Sequence, residues 1–359
     1  MNVVLDDYKN DENKDTYDRV LKMYPVSVLE PAVCAYYLAR HHNMDIKEFS
    51  KLVKNTPNGD AVVEALNFAM NIADSENDAE TGLMTTICVY QYIAQIERFK
   101  RTKQVYNFDK DFLSELYTTD PNIPITGELF QTLPHRVMYL DYSANRELCD
   151  AMKTDGTLIT VLDIGVGDEI YWILFCAAYY EGKSTFVHSL IMPNSNEPIT
   201  VAEMVNSREV MYYNEDATKS EASMIMTLMQ ALIYLCSFEP DIRETPVSKQ
   251  RYKAAKANKP KDKRIKPDMP EREYKVGEYF GAAFRKYTIE HADETTKKST
   301  GTGSSKRPHM RRAHWHGYWR GKKGSENRTL VRRWVHESFI NVDYDTGEKK
   351  LGVAKHKVK

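Results

Sequence analysis

The sequence has no hydrophobic run long enough to span a bilayer. Its longest apolar stretch, Tyr171 to Tyr180, falls well short of the roughly 20 residues that a membrane helix needs, so no membrane partner is predicted. Cysteine is scarce. Cys34, Cys88, Cys149, Cys176 and Cys236 are scattered, and none forms a Cys-x-x-Cys pair or stands near a histidine at zinc spacing. That excludes a disulfide framework and a zinc finger, and leaves small buried hydrophobes of a reducing compartment. No internal repeat is present. The first residues, MNVVLDDYKNDENKD, are acidic and lack an apolar h-region, so no signal peptide is predicted and the expected location is the cytoplasm.

Net charge is also nearly missing, at −1 over 359 residues, but the balance hides a split. Asp241–Lys359 holds 31 Lys and Arg against 15 Asp and Glu, a net of +16. Taking these from the totals of 50 and 51 leaves 19 and 36, a net of −17, in Met1–Pro240. Such a division points to a polyanion or an acidic partner for the C-terminal part, or to the two parts docking on each other. The length suits two or three domains with a core that needs no staples.

Periodicity divides the chain further and predicts an α+β fold. Residues 1–20 are polar and are expected to order late or not at all. From Pro31 to about Tyr117 the pattern is helical, with Asp60 as an N-cap and a long striped helix ending in Arg and Lys. This gives an acidic helical region, 1–120. Residues 121–242 read as a central antiparallel meander over Val137–Met192. A helix capped by Thr200 follows, and then a buried helix that starts with Ser220 as cap and ends before Pro240. Residues 243–272 are rich in Lys, Arg and Pro and predict a basic linker. Residues 273–345 form a basic, aromatic, β-rich part, in which Glu273–Glu290 leans to strand because Gly277 and Gly281 weaken a helix. The tail, 346–359, is basic and expected to be mobile.

The densest chemistry lies between Arg307 and Val342: RPHMRRAHWHGYWRG, the gap GKKGSEN, then LVRRWVHESFINV. Strand-like flanks around a loop predict a β-hairpin. Period two puts His314, His316, Tyr318 and Arg320 on one face and Trp315 and Trp319 on the other. On the return strand Arg332, Trp334 and His336 share a face, opposite Val331, Arg333 and Val335. A half-buried hairpin with core tryptophans and solvated arginines is one reading. The other is an RNA or partner contact, in which Arg307, Arg311, Arg312, Arg320, Arg332 and Arg333 meet phosphate and Trp315, Tyr318, Trp319 and Trp334 stack or support.

Other constellations are weaker. VLDIGVGDE (Val161–Glu169) looks like the first motif of nucleotide-dependent methyltransferases, a strand, an acid and then glycines at a tight turn. However, it lacks a third glycine and runs into the β-rich EIYWILFC, so a hairpin turn explains it better. His314-x-His316 could share a metal with His309 or His336, but the surrounding arginines repel a cation and no carboxylate completes the set; no metal and no cofactor is expected. His309, His314 and His316 are also the residues of an alternative reading, a His/Arg-dependent ribonuclease. In SFEPDI, Glu239 and Asp241 mark a fixed helix exit in which one carboxylate grips an arginine of the basic part.

Five blocks carry a family resemblance: LPHRVMYLD (Leu133–Asp141), LCSFEPDI (Leu235–Ile242), VGEYFGAAFRKY (Val276–Tyr287), RPHMRRAHWHGYWRG (Arg307–Gly321) and VRRWVHESFINV (Val331–Val342). In this order they resemble the anti-CRISPR proteins of type VA2, directed against type V-A CRISPR effectors and encoded by phages and mobile elements. The resemblance implies a non-enzymatic inhibitor in the host bacterial cytoplasm that evades host defence. It implies recognition of the effector's nascent N-terminal peptide and loss of its mRNA, with the ribosome or the message as further partners. The helical and meander part would then carry the peptide surface. A third class is a plain interaction protein whose basic part docks on its own acidic half.

Overall fold

The computed structural model describes residues 9, 14–41, 44, 59–73, 79–166, 169–192, 198–206, 215–258, 269–282, 285, 309–311, 314–322, 329–335 and 338–340. The chain divides into two compact units, Met1–Arg285 and Lys286–Lys359.

The first unit opens with helices. α1 (Lys14–Met23) forms inside the stretch expected to lack order, because Tyr17 and Val20 sit one turn apart and are both buried. α2 (Val26–His41) begins five residues ahead of the expected start, so Pro31 lies within it. The backbone bond that proline forgoes is offset by the complete burial around it of Leu29, Ala32 and Val33. α3 (Gly59–Ala73) holds Asp60 in its first turn, not at its cap, where a carboxylate still suits the helix dipole. α4 (Ala79–Thr102) ends on Lys100 and Arg101 as predicted.

The sheet follows. Its first members are β1 (Gln104–Phe108), α5 (Lys110–Tyr117), the short β2 (Pro124–Ile125), β3 (Val137–Asp141), α6 (Arg146–Met152), β4 (Gly156–Val166), β5 (Glu169–Tyr180) and β6 (Lys183–Met192). Next come β7 (Ile199–Thr200), α7 (Val201–Asn206), α8 (Glu215–Leu235), β8 (Ile242–Glu244), α9 (Pro246–Ala257) and β9 (Arg272–Val276). The predicted meander is present as β3 to β6, but the sheet does not stop there. Seven strands run in the order β6-β5-β4-β3-β1-β9-β8, and β1 pairs parallel with both β3 and β9. The sheet is therefore mixed, and it draws strands from the region expected to be all helical and from the predicted linker. The fold is α+β.

Helices cover both faces. Tyr171, Ile173, Phe175, Ala177 and Tyr179 alternate along β5 into the core made by α1 to α4. Two buried glutamines of α4 reach sheet backbone, Gln91 to the Cys176 carbonyl (3.4 Å) and Gln95 to that of Leu158 (3.3 Å). On the second face Thr157 Oγ1 meets Met224 Sδ of α8 at 3.9 Å. α8 starts at Glu215, five residues before the expected cap Ser220, and Leu228 to Leu235 are buried almost continuously. Thr200 caps α7 as expected, through a reciprocal pair: Glu203 N–H donates to Thr200 Oγ1 and Thr200 N–H to Glu203 Oε2.

Two expectations for the basic region change. The linker 243–272 contains β8 and α9. Glu273–Glu290 is strand only as far as Val276; residues 278–282 are helical. Gly277, at φ +71°, makes the turn between them. Gly281, expected to weaken a helix, is there because a Cβ would overlap the Asp109 carboxylate.

The second unit contains β10 (His309–Arg311), β11 (His314–Arg320), β12 (Thr329–Val335) and β13 (Ser338–Ile340), paired β10 with β13 and β11 with β12, all antiparallel. Among the described residues of the whole chain, no helix is long and apolar enough to cross a membrane.

Candidate functional site

The hairpin predicted from composition is built as expected, and its register assigns the faces. His314 pairs with Val335, His316 with Arg333, Tyr318 with Val331 and Arg320 with Thr329. Trp315 pairs with Trp334, Gly317 with Arg332 and Trp319 with Leu330. Because paired residues share a face, one face carries the His, Tyr and Arg positions and the other the three tryptophan positions and Arg332. The outer ladder keeps the same offset, with His309 opposite Ile340 and Arg311 opposite Ser338.

Exposure rises along β11, from half-buried His314 to exposed Arg320. Trp315 is half-buried, whereas His316, Tyr318 (46 % exposed), Arg320 and Lys322 are exposed. The His316 and Tyr318 rings lie 4.4 Å apart at 35°, and His314 stands edge-on to His316 at 6.5 Å. These rings form a ladder along an open strand face, a surface on which a flat base can stack. Arg307, Arg312 and His336 lie outside the described residues. His309 falls in the outer ladder, while His314 and His316 fall in the inner one. Among the described residues, no three side chains of His, Cys, Asp or Glu converge as a metal set would.

In the first unit, two of the resemblance blocks meet at one knot. Asp241 N–H donates to Tyr234 Oη (2.9 Å), its carbonyl accepts from Gly277 N–H (2.9 Å), and its carboxylate accepts from Tyr279 N–H (2.8 Å) and Arg243 (3.0 Å). This is the predicted helix exit, with the arginine gripped by Asp241. Arg243 in turn lies over the exposed ring of Tyr279. Beside it Asp109 caps α5, accepting from Asp111 N–H (3.0 Å), and also receives Arg285 at 3.0 and 3.1 Å. The Asp241 and Asp109 carboxylates both have partners, so the knot acts as a brace.

A second cluster borders β9 and α9. Tyr106 and Tyr274 stack at 4.7 Å and 13°, and Tyr106 Oη shares a 2.6 Å hydrogen bond with His135 Nδ1. Burial, then the charge of Arg272, holds the His135 pKa below its ordinary value, against a smaller opposing pull from Glu244. Arg272 forms a two-pronged pair with Glu244, both contacts at 2.9 Å, and its guanidinium lies over Tyr252 at 4.7 Å. That pair, helped by Lys249 and Lys253, keeps the Glu244 carboxyl below its usual range. The composition-based reading missed α9. The signal was local: Thr245 before Pro246 is an N-cap followed by proline at N1, and Thr245 Oγ1 accepts from Ser248 N–H at 3.3 Å.

All five cysteines are free, and burial pushes Cys149 and Cys236 up to about 12.

Comparison with known proteins adds three findings. The sequence profile of the AcrVA2-like family, described as the anti-CRISPR type V subtype A2 family, matches residues 106–342. No curated protein matches the chain. Among solved structures, a crystal structure of AcrVA2 matches at 18 % identity and a TM-score of 0.48, over 94 % of this chain and 97 % of that one.

Proposed function

Because the chain belongs to the type V subtype A2 family of anti-CRISPR proteins, we propose that it suppresses production of a type V-A CRISPR effector nuclease, recognising the effector's nascent N-terminal peptide and causing loss of its mRNA. The observation that carries this reading is the family match over 106–342, which runs from β1 through the sheet, the Asp241 knot and the hairpin. The hairpin supports the RNA half of the reading. Arg307, Arg311, Arg312, Arg320, Arg332 and Arg333 supply phosphate-binding forks, and Tyr318, on the open face, stacks an unpaired base. Trp315, Trp319 and Trp334 share the opposite face and support it. The first unit supplies the peptide surface. In this reading the protein binds and recruits; it does not cut.

The test measures effector protein and effector mRNA in bacteria that make a type V-A effector, with and without this chain. The expected result is a fall in both, lost in an Arg332→Gln/Arg333→Gln/Tyr318→Ala variant that still accumulates to the same level. Normal protein and message with an inactive effector would instead mean that the mature enzyme is the target.

A further inference from the structure

α9 is a helix that gives the core almost nothing. Of its twelve residues only Ser248 is buried, while Lys249, Arg251, Lys253 and Lys256 are all exposed. It contains no Asp or Glu. A helix polar all round is normally sustained by oppositely charged pairs one turn apart. Here the turn-spaced neighbours, Lys249 with Lys253 and Lys253 with Lys256, are like charges. Lys249 also lies in the first turn, where the helix dipole disfavours a cation.

The helix is nevertheless held in place. Ser248 Oγ accepts from Glu273 N–H (2.9 Å) and donates to the Glu271 carbonyl (3.4 Å), and Tyr252 lies under Arg272. Lys249, Lys253 and Lys256, at i, i+4 and i+7, form one stripe roughly 10 Å long, and Arg251 points away from it. The stripe runs beside Arg272, and one carboxylate, Glu244, is the acid shared by Arg272, Lys249 and Lys253. α9 itself therefore carries four cations and no acid on a fixed support.

We propose that the Lys249–Lys253–Lys256 stripe, with Arg272 and Tyr252, is a second polyanion-binding surface that takes the phosphate backbone of RNA. Protein interfaces need buried apolar or aromatic anchors, and the exposed part of α9 offers lysines, Arg251, alanines and a glutamine, with Pro246 and Val247 at one end. Phosphate needs only rigidly placed cations. The surface belongs to the first unit and the hairpin to the second.

The test uses the full chain and a short labelled single-stranded RNA, followed by fluorescence anisotropy over a salt series. Lys249→Gln/Lys253→Gln/Lys256→Gln is expected to weaken binding about tenfold or more at low salt. It should also reduce the slope of log affinity against log salt by about 2, at roughly 0.7 per cation removed. Its thermal midpoint should not fall, because like charges have been removed. Arg251→Gln, off the stripe, should change the slope far less. Unchanged RNA affinity in the triple variant overturns the proposal, and so does an Arg251→Gln effect equal to that of the triple. Binding of polyglutamate that is lost in the triple while RNA binding persists overturns it too, in favour of an acidic protein partner.

Discussion

His135 shows how one side chain ties sequence to pH response. Its imidazole lies against the stacked pair of Tyr106 and Tyr274, with the charge of Arg272 acting on it. Both burial and that cation disfavour the protonated ring. The folded protein therefore binds fewer protons than the unfolded chain between the depressed pKa and the ordinary value of 6.5. The stabilisation is complete above about pH 6.5 and declines as pH drops through 6.5 towards the folded value. Urea midpoints measured from about pH 7.5 down to about pH 5.5 should fall for the native chain, and the fall should be shallower in His135→Gln. Parallel curves would show that the ring is not held neutral. The sequence placed His135 in a resemblance block without a role; its partners come from residues 106, 272 and 274, which no local pattern links.

At the scale of elements, the junction after β9 is the most constrained. Gly277 has a left-handed backbone, and a Cβ there would overlap the Phe112 ring. Gly277→Ala should lower stability by about 2–4 kcal/mol, combining overpacking with a left-handed alanine. Chemical denaturation checks this; a loss below about 0.5 kcal/mol would mean that the turn relaxes freely. Among the elements legible in the sequence were those with strong periodicity: α4, α8, the β3–β6 meander and the β11–β12 hairpin. Among those that were not are α1, β1 and α9. α1 is marked by a short stripe of Tyr17 and Val20 within a polar stretch, and tertiary packing decides it. β1 joins the sheet through parallel partners 30 and more residues away, which local patterning does not encode. α9 was hidden by its lysines, although its cap and proline announced it.

Over the whole molecule, the charge split between the first 240 residues and the rest is the feature that composition alone exposes. The structure adds detail to it: cations gather on α9 in the first unit and on the hairpin in the second. The candidate hairpin face was readable because strand alternation is a rule of backbone geometry. The proposed peptide surface was not readable, because no residue pattern in the sequence marks one.

The most direct measurement of the central claim captures the full chain from bacteria translating a type V-A effector and sequences the co-purified RNA. A parallel culture translates the same effector with its first codons replaced. The account predicts that effector mRNA is enriched with the native N-terminus and lost when the encoded peptide changes, yet kept when the codons change synonymously. Capture of finished effector protein without its message, in either culture, would contradict it.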